Sequence, residues 1–154
     1  ANKLREQLPE GVNEILKKHE EAGTTDSAEY LAAMDVFYAR HVCRVPMHKD
    51  VLDSFAQMVA EPTVYGTMNG PSEFHVVGTL KDWDIHDDLH KIVVPTLLVS
   101  GAYDEATPTM VSEIHRRIPD VVWELFPESS HMPHIEEPAR FKRIVNAFLD
   151  AKMD

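Results

Sequence analysis

Two largely apolar runs in the second half of the chain predict β-strands. The first, Val93 to Val99, reads VVPTLLV, and the second, Val121 to Phe126, reads VVWELF. Runs of this length and composition are typical of strands buried on both faces of a parallel sheet. A helix from Ile85 to Ile92 is predicted before the first run, and amphipathic helices are predicted after Pro108 and after Pro138. This alternation predicts the end of a doubly wound α/β sheet.

The first part of the chain has helical periodicity instead. Helices are predicted from Pro9 to Ala22, from Ala28 to Cys43 with Ser27 as the N-cap, and from Lys49 to Val59. The second of these carries an apolar stripe that is expected to lie in a core, made of Tyr30, Leu31, Met34, Phe37, Tyr38 and His41. The residues from Tyr65 to Trp83 lack a helical period, and we expect them to bridge two subdomains or to line a cleft.

An acid and a histidine follow the two predicted strands. Asp104 lies in the loop after the first strand, and His131 lies in the loop after the second. Catalytic groups of open α/β sheets collect at the carboxyl ends of the strands. An acid followed by a histidine is also the order of the last two members of a Ser-Asp-His hydrolase triad. The pattern therefore predicts that Asp104 orients His131, which acts as general base.

Other interpretations of these loops stay open at this point. Asp104 is equally expected to stabilise a turn or a helix N-terminus, and His134 is a second candidate base. Glu136 and Glu137 are expected to face solvent or to cap a helix. The sequence contains no Gly-x-Ser-x-Gly, and none of its serines is expected at a strand-to-helix turn flanked by glycines. The nucleophile is therefore expected from a segment outside this sequence.

Composition and charge narrow the choice of partners. The 154 residues include 15 basic and 26 acidic side chains, and the formal net charge of -11 disfavours nucleic acid and anionic membranes as partners. No apolar run approaches the roughly 18 residues that span a membrane. The single cysteine, Cys43, is expected to be a buried thiol, and the lack of a signal peptide favours a cytoplasmic location. The histidines form no metal-ligand pattern, so no metal and no other cofactor is predicted.

Four segments are similar to proline iminopeptidases and tricorn-interacting aminopeptidases, which belong to the α/β-hydrolase superfamily. The segments are EAGTTDSAEYLAAMDVFYARHVCR (Glu21 to Arg44), YGTMNGPSEFHVVGTLKDWDI (Tyr65 to Ile85), PTLLVSGAYDEATP (Pro95 to Pro108) and SSHMPHIEEP (Ser129 to Pro138). The second and third are specific to this family within the superfamily. The chain resembles the carboxyl half of these enzymes along nearly its whole length.

The resemblance implies the carboxyl-terminal part of an α/β-hydrolase fold, a doubly wound sheet with a helical cap. Residues 1–84 would form the cap and its connection to the core, and residues 85–154 would form the βαβα part of the core. The implied activity is release of an N-terminal residue, proline or another, from a short peptide with a free amino terminus. The N-terminal half of the hydrolase, with the serine and the oxyanion loop, is the implied partner.

The resemblance also assigns roles to residues. Asp104 matches the triad acid, and His131 matches the general base. Glu73 and Glu105 match the pair of acids that hold the α-amino group of the substrate, and Tyr65 lines the same pocket. Two carboxylates suit an ammonium group, because its three N–H donors can be shared between them. From the residues alone, Glu73 and Glu105 are equally well explained as surface acids of an acidic protein.

Three classes of function stay open. The first is a serine aminopeptidase of the proline iminopeptidase type, with an amidase or esterase that acts on amino-acid amides as its near variant. The second is a non-catalytic interaction module that retains a hydrolase fragment. The third is another α/β-hydrolase chemistry, such as dehalogenation or epoxide opening, which needs an Asp nucleophile upstream.

Overall fold

The computed structural model of the protein describes residues 2–153, with side chains for residues 3–151. It divides into two compact units. The helical unit contains the residues up to Ala39 together with Pro46–Trp83. The sheet unit contains Arg40–Val45 together with the residues from Asp84 onward. The predicted boundary at residue 84 and the cap role of residues 1–84 stay predictions.

Short helices joined by turns build the helical unit. They are α1 (Asn2–Arg5), α2 (Val12–Ala22), α3 (Ala28–His41, of which the last two residues belong to the sheet unit), α4 (Lys49–Ala60) and α5 (Thr63–Met68). The predicted helices are confirmed as α2, α3 and α4 with slightly different ends, and the Ser27 hydroxyl caps α3 by accepting from the N–H of Tyr30 at 3.2 Å. The prediction that the segment from Tyr65 onward has no helix is wrong at its start, because α5 extends to Met68. This helix follows Pro62, whose fixed φ favours a helical start.

The core of the helical unit lies on one face of α2 and α3. Leu16, Tyr30 and Phe37 are fully buried, and Phe74 is 6% exposed. The rings of Phe37 and Phe74 have their centroids 4.5 Å apart, within the range of favourable aromatic contacts. The predicted stripe on α3 is thus confirmed for Tyr30 and Phe37, whereas Leu31 is 43% exposed.

The sheet unit alternates strands and helices. A 3-10 helix (His86–Lys91) leads to β1 (Thr96–Gly101), α6 (Pro108–His115), β2 (Val121–Phe126), α7 (Pro133–Glu136) and α8 (Pro138–Met153). The strands β1 and β2 are parallel neighbours, with Thr96 opposite Val121 and Gly101 opposite Phe126. The predicted order of strand, helix, strand and helix is confirmed, and the helix predicted before the first strand is the short 3-10 helix.

The first strand is shorter and more exposed than predicted. Val93 and Val94 precede β1 and are 74% and 62% exposed. Pro95 separates them from the strand, because a proline has no N–H to give to a ladder. In β2, Val122 is 50% exposed. Within the described residues β1 is half-buried or buried and β2 is partly exposed, so burial of both strands on both faces stays a prediction for the complete sheet.

Gly101, the last residue of β1, lets the loop after β2 approach closely. A Cβ atom built at Gly101 overlaps the carbonyl oxygens of Ser129 and Ser130. Both are backbone atoms, so no side-chain rotation can make room. Only glycine fits here, and its small size sets the separation between the end of β1 and the loop that carries His131.

We expect Gly101→Ala to lower the free energy of unfolding by about 1–3 kcal/mol, the usual cost of forcing extra volume into a packed site. Gly66→Ala is the matched control, because a Cβ at Gly66 meets nothing within 4 Å and alanine favours the helix α5. Urea denaturation of both variants and the wild type measures the difference. Equal stability of the two variants would show that the loop yields freely.

Candidate active site

The parallel register of β1 and β2 brings the loops that follow them together. Beyond the strand ends, the N–H of Ala102 donates to the carbonyl oxygen of Phe126 at 2.9 Å. The N–H of Tyr103 donates in turn to the carbonyl oxygen of Ser129 at 3.0 Å. The backbones of the two loops are therefore held side by side, independently of any contact between their side chains.

Asp104 and His131 form a hydrogen bond across these loops. Nδ1 of His131 lies 3.0 Å from Oδ1 of Asp104, and the Asp104 side chain is 7% exposed while that of His131 is 46% exposed. Because Nδ1 faces an acceptor, the neutral ring is assigned the tautomer with its proton on Nδ1, so Nε2 carries the lone pair. A ring oriented in this way can accept a proton at Nε2 as a general base does.

The same oxygen of Asp104 has a second donor. It accepts from the N–H of Ala106 at 2.9 Å, so Asp104 also stabilises the turn before α6. Thr107 is the N-cap of α6, but its side chain makes no capping hydrogen bond, and Pro108 occupies the first turn. The turn and the bond to His131 are compatible, since one carboxylate oxygen can accept both. The turn restrains the Asp104 side chain in the orientation that meets the imidazole.

The segment Arg40–Val45 contacts both loops. Nδ1 of His41 lies 2.8 Å from the carbonyl oxygen of Tyr103. The guanidinium of Arg44 donates to the carbonyl oxygen of Glu128 at 2.6 Å and lies 3.5 Å from the centroid of the Tyr103 ring. One arginine therefore contacts a residue of each loop. These contacts could not be predicted from the sequence, because they join distant positions and no motif accompanies them.

Other reactive side chains were also candidates in the sequence. Cys43 is buried as predicted, and burial raises the pKa of its thiol. The ring of His134, the second candidate base, lies 5.9 Å from the ring of Phe141. Within residues 2–153, no group of three or more histidine, cysteine or acidic side chains is placed to hold a metal ion. No helix in the same range is long and apolar enough to cross a bilayer.

Glu73 and Tyr65 are neighbours in the helical unit. The hydroxyl of Tyr65 donates to Oε1 of Glu73 at 2.8 Å and accepts from the Nδ2 amide of Asn69 at 3.0 Å. The backbone N–H of Glu73 donates to the hydroxyl of Tyr38 at 3.2 Å. These bonds orient the Glu73 carboxylate, and the residue is partly buried. Acidic residues at a protein surface are mostly exposed instead.

The five predicted site residues are thus divided between the two units. Tyr65 and Glu73 belong to the helical unit, and Asp104, Glu105 and His131 belong to the sheet unit. The structure joins Asp104 to His131 and Tyr65 to Glu73 by hydrogen bonds. Glu105 follows Asp104 directly and is partly buried. The roles of all five in catalysis or binding stay predictions.

Comparison with curated proteins finds several relatives that are named proline iminopeptidase. The chain is 36% identical over 148 residues to a proline iminopeptidase of Saccharolobus solfataricus, covering 96% of this chain and 48% of that protein. It is 37% identical over 144 residues to a proline iminopeptidase of Heyndrickxia coagulans, covering 94% of this chain and 50% of that protein. No family model matches. The chain spans about half the length of the curated relatives it matches.

Comparison with solved structures also finds a proline iminopeptidase among the similar proteins. The structure of VinJ is similar with a TM-score of 0.94 and 49% identity, over 97% of this chain and 51% of that one. The proline iminopeptidase of Mycobacterium smegmatis has a TM-score of 0.86 and 50% identity, over 97% of this chain and 50% of that one. MenH from S. aureus, at 19% identity and a TM-score of 0.53, shares the fold alone.

These neighbours are α/β-hydrolases, so the predicted fold class is confirmed. The resemblance inferred from four sequence segments is confirmed as well, since the matches extend over nearly the whole chain. The chain is therefore a relative of the proline iminopeptidases with the α/β-hydrolase fold, and it corresponds to about half of the length of those proteins.

Proposed function

We propose that this chain is part of a serine hydrolase of the proline iminopeptidase type, which releases N-terminal residues from short peptides. Asp104 and His131 are the triad acid and the general base, and the serine comes from a segment outside this sequence. The observation that carries the proposal is the 3.0 Å hydrogen bond between the two side chains at the ends of adjacent parallel strands. The names of the relatives support the same reaction.

The geometry assigns a step to each group. With its Nδ1 proton directed to Asp104, His131 would take the proton of the serine at Nε2 and later give it to the leaving amine. The carboxylate of Asp104 holds the ring in the required tautomer and stabilises the imidazolium that forms. Its burial strengthens this interaction, because a charge pair shielded from water is screened less.

The substrate in this proposal carries a free amino terminus. Glu73 and Glu105 would accept hydrogen bonds from its ammonium group, and Tyr65 would line the same pocket. The bond from Tyr65 uses one acceptor position of Glu73, and a carboxylate offers about four, so capacity for a ligand is retained. The net charge of -11 favours the approach of a cationic group.

The proposed partners and location rest on the composition of the chain. The preferred partner is a short peptide, or an amino-acid amide, and neither nucleic acid nor a membrane is expected, because the chain is acidic. A cytoplasmic location agrees with a sequence that contains one cysteine, which is buried.

In the complete enzyme, we expect His131→Ala and Asp104→Asn each to lower kcat by roughly 10³-fold or more, since the first removes the base and the second favours the wrong tautomer. His134→Ala, three residues further on in α7, is the matched control and should keep kcat within a few-fold. The measurement is steady-state hydrolysis of proline and alanine arylamides. Loss of activity in His134→Ala with normal kcat in His131→Ala would identify the other histidine as the base.

For the amino-terminus site, we expect Glu73→Gln and Glu105→Gln to lower kcat/KM for aminoacyl arylamides by roughly 10- to 100-fold, because a charged acceptor becomes a neutral amide. Neutral acetate esters of the same leaving group should change only a few-fold. The ratio of the two kcat/KM values is therefore the quantity to measure. Glu10→Gln, at an exposed position, controls for the change in net charge.

An unchanged ratio in folded Glu73→Gln and Glu105→Gln would favour the surface-acid interpretation of these residues. It would leave the catalytic roles of Asp104 and His131 intact, because neutral esters report on those roles independently. The two parts of the proposal can thus fail separately.

A further inference from the structure

The carboxylate of Glu136 is bonded to the backbone on both sides of His131. Its Oε2 atom accepts from the N–H of Ser130 at 2.8 Å and from the N–H of Met132 at 3.1 Å. Its Oε1 atom accepts from the hydroxyl of Ser130 at 2.8 Å and from the N–H of Arg44 at 2.8 Å. Of the two expectations for Glu136, exposure to solvent is wrong, since the residue is partly buried. Helix capping is confirmed, since Met132 is the N-cap residue of α7 and its N–H donates to Glu136.

These bonds restrain the position of His131 itself. Fixing the peptide groups before and after a residue leaves its Cα little freedom, so the ring can then move only by side-chain rotation. The ring lies partly at the surface, since the His131 side chain is 46% exposed. The position of the loop backbone therefore sets where the ring can meet Asp104, with which it forms the 3.0 Å bond.

The neighbouring acid, Glu137, holds a different part of the loop. Its Oε2 atom accepts from the Ser129 hydroxyl at 2.6 Å and from the N–H of Glu128 at 3.2 Å. These residues lie two and three positions before His131 and do not flank it. Glu137 thus holds the start of the loop. Glu136 and Glu137 are adjacent carboxylates with similar hydrogen bonds, but only Glu136 bonds to the residues that flank His131.

We propose that Glu136 is a positioning residue for His131, which sets the place of the imidazole by hydrogen bonding the N–H groups on either side of it. The inference rests on the proposed role of His131 as general base. The proposed effect depends on the reach of the side chain and on an acceptor oxygen. A shorter side chain should abolish it, and a neutral one of equal length should preserve most of it.

The test compares three variants of the complete enzyme. Glu136→Asp keeps the charge but withdraws the carboxylate by about 1.5 Å, the length of one C–C bond. Glu136→Gln keeps the length and one oxygen, which can still accept from the N–H groups of Ser130 and Met132, while its NH2 replaces the oxygen that accepts from the N–H of Arg44. Glu137→Asp applies the same shortening to the neighbouring acid. Hydrolysis of aminoacyl arylamides gives kcat and KM, and thermal melting gives the stability of each variant.

We expect Glu136→Asp to lower kcat by roughly 10- to 100-fold with KM nearly unchanged, because a displacement near 1 Å is costly to proton transfer but not to substrate binding. In Glu136→Gln we expect kcat to lie within about threefold of the wild type, because an acceptor oxygen at the same distance still holds the N–H groups of Ser130 and Met132. Glu137→Asp should leave kcat within about threefold, even where it lowers the melting temperature as much as Glu136→Asp does.

Normal kcat in Glu136→Asp, or an equal loss in Glu137→Asp, would overturn the inference. If Glu136→Asp does not fold, Glu136→Gln decides, since a loss above roughly tenfold there would show that charge matters and not position. His131→Ala serves as the reference. If that variant is inactive while Glu136→Asp is normal, the general base stands and only the positioning role fails.

Discussion

The hydrogen bond between His131 and Asp104 depends on the parallel pairing of β1 and β2. Both residues lie in loops, and each loop is short enough for the strand register to set its position. The backbone bonds continue past Phe126 into the loops, and Gly101 allows the second loop to lie against the first strand. A register shift of one residue would reverse the strand faces and displace the acid from the histidine. The strand pairing therefore forms the sheet and also positions the two proposed catalytic residues.

A structural role and the proposed catalytic role coincide at Asp104. The carboxylate closes a turn with Ala106 and orients His131 through the same oxygen. The two interpretations looked like alternatives in the sequence, but the geometry makes the first a condition for the second. A side chain already restrained by a turn loses little further conformational entropy when it orients the imidazole. Aspartate suits both tasks, because its short side chain reaches the backbone two residues on.

Local patterns predicted much of this architecture, and long-range contacts account for what they missed. The periodicity of α2, α3 and α4 and the bounds of β2 were visible in the sequence, as was the order of acid and histidine. The exposure of Val93 and Val122 was not, because periodicity shows which residues are apolar and not what covers them. The bonds from Arg44 to Glu128 and Glu136 could not be predicted for a related reason, since they join positions 84 and 92 residues apart in the chain.

Backbone N–H groups stabilise acidic side chains that contact the loops around His131. Glu136 and Asp104 both accept from the main chain, which stabilises a carboxylate without neutralising it. Negative charge is therefore retained in partly buried loops, where screening by water is weak. Such a field would favour a cation beside it, and the proposed reaction forms one, the imidazolium of His131. The net charge of -11, which in the sequence disfavoured nucleic acid and anionic membranes, agrees with this concentration of carboxylates at the candidate active site.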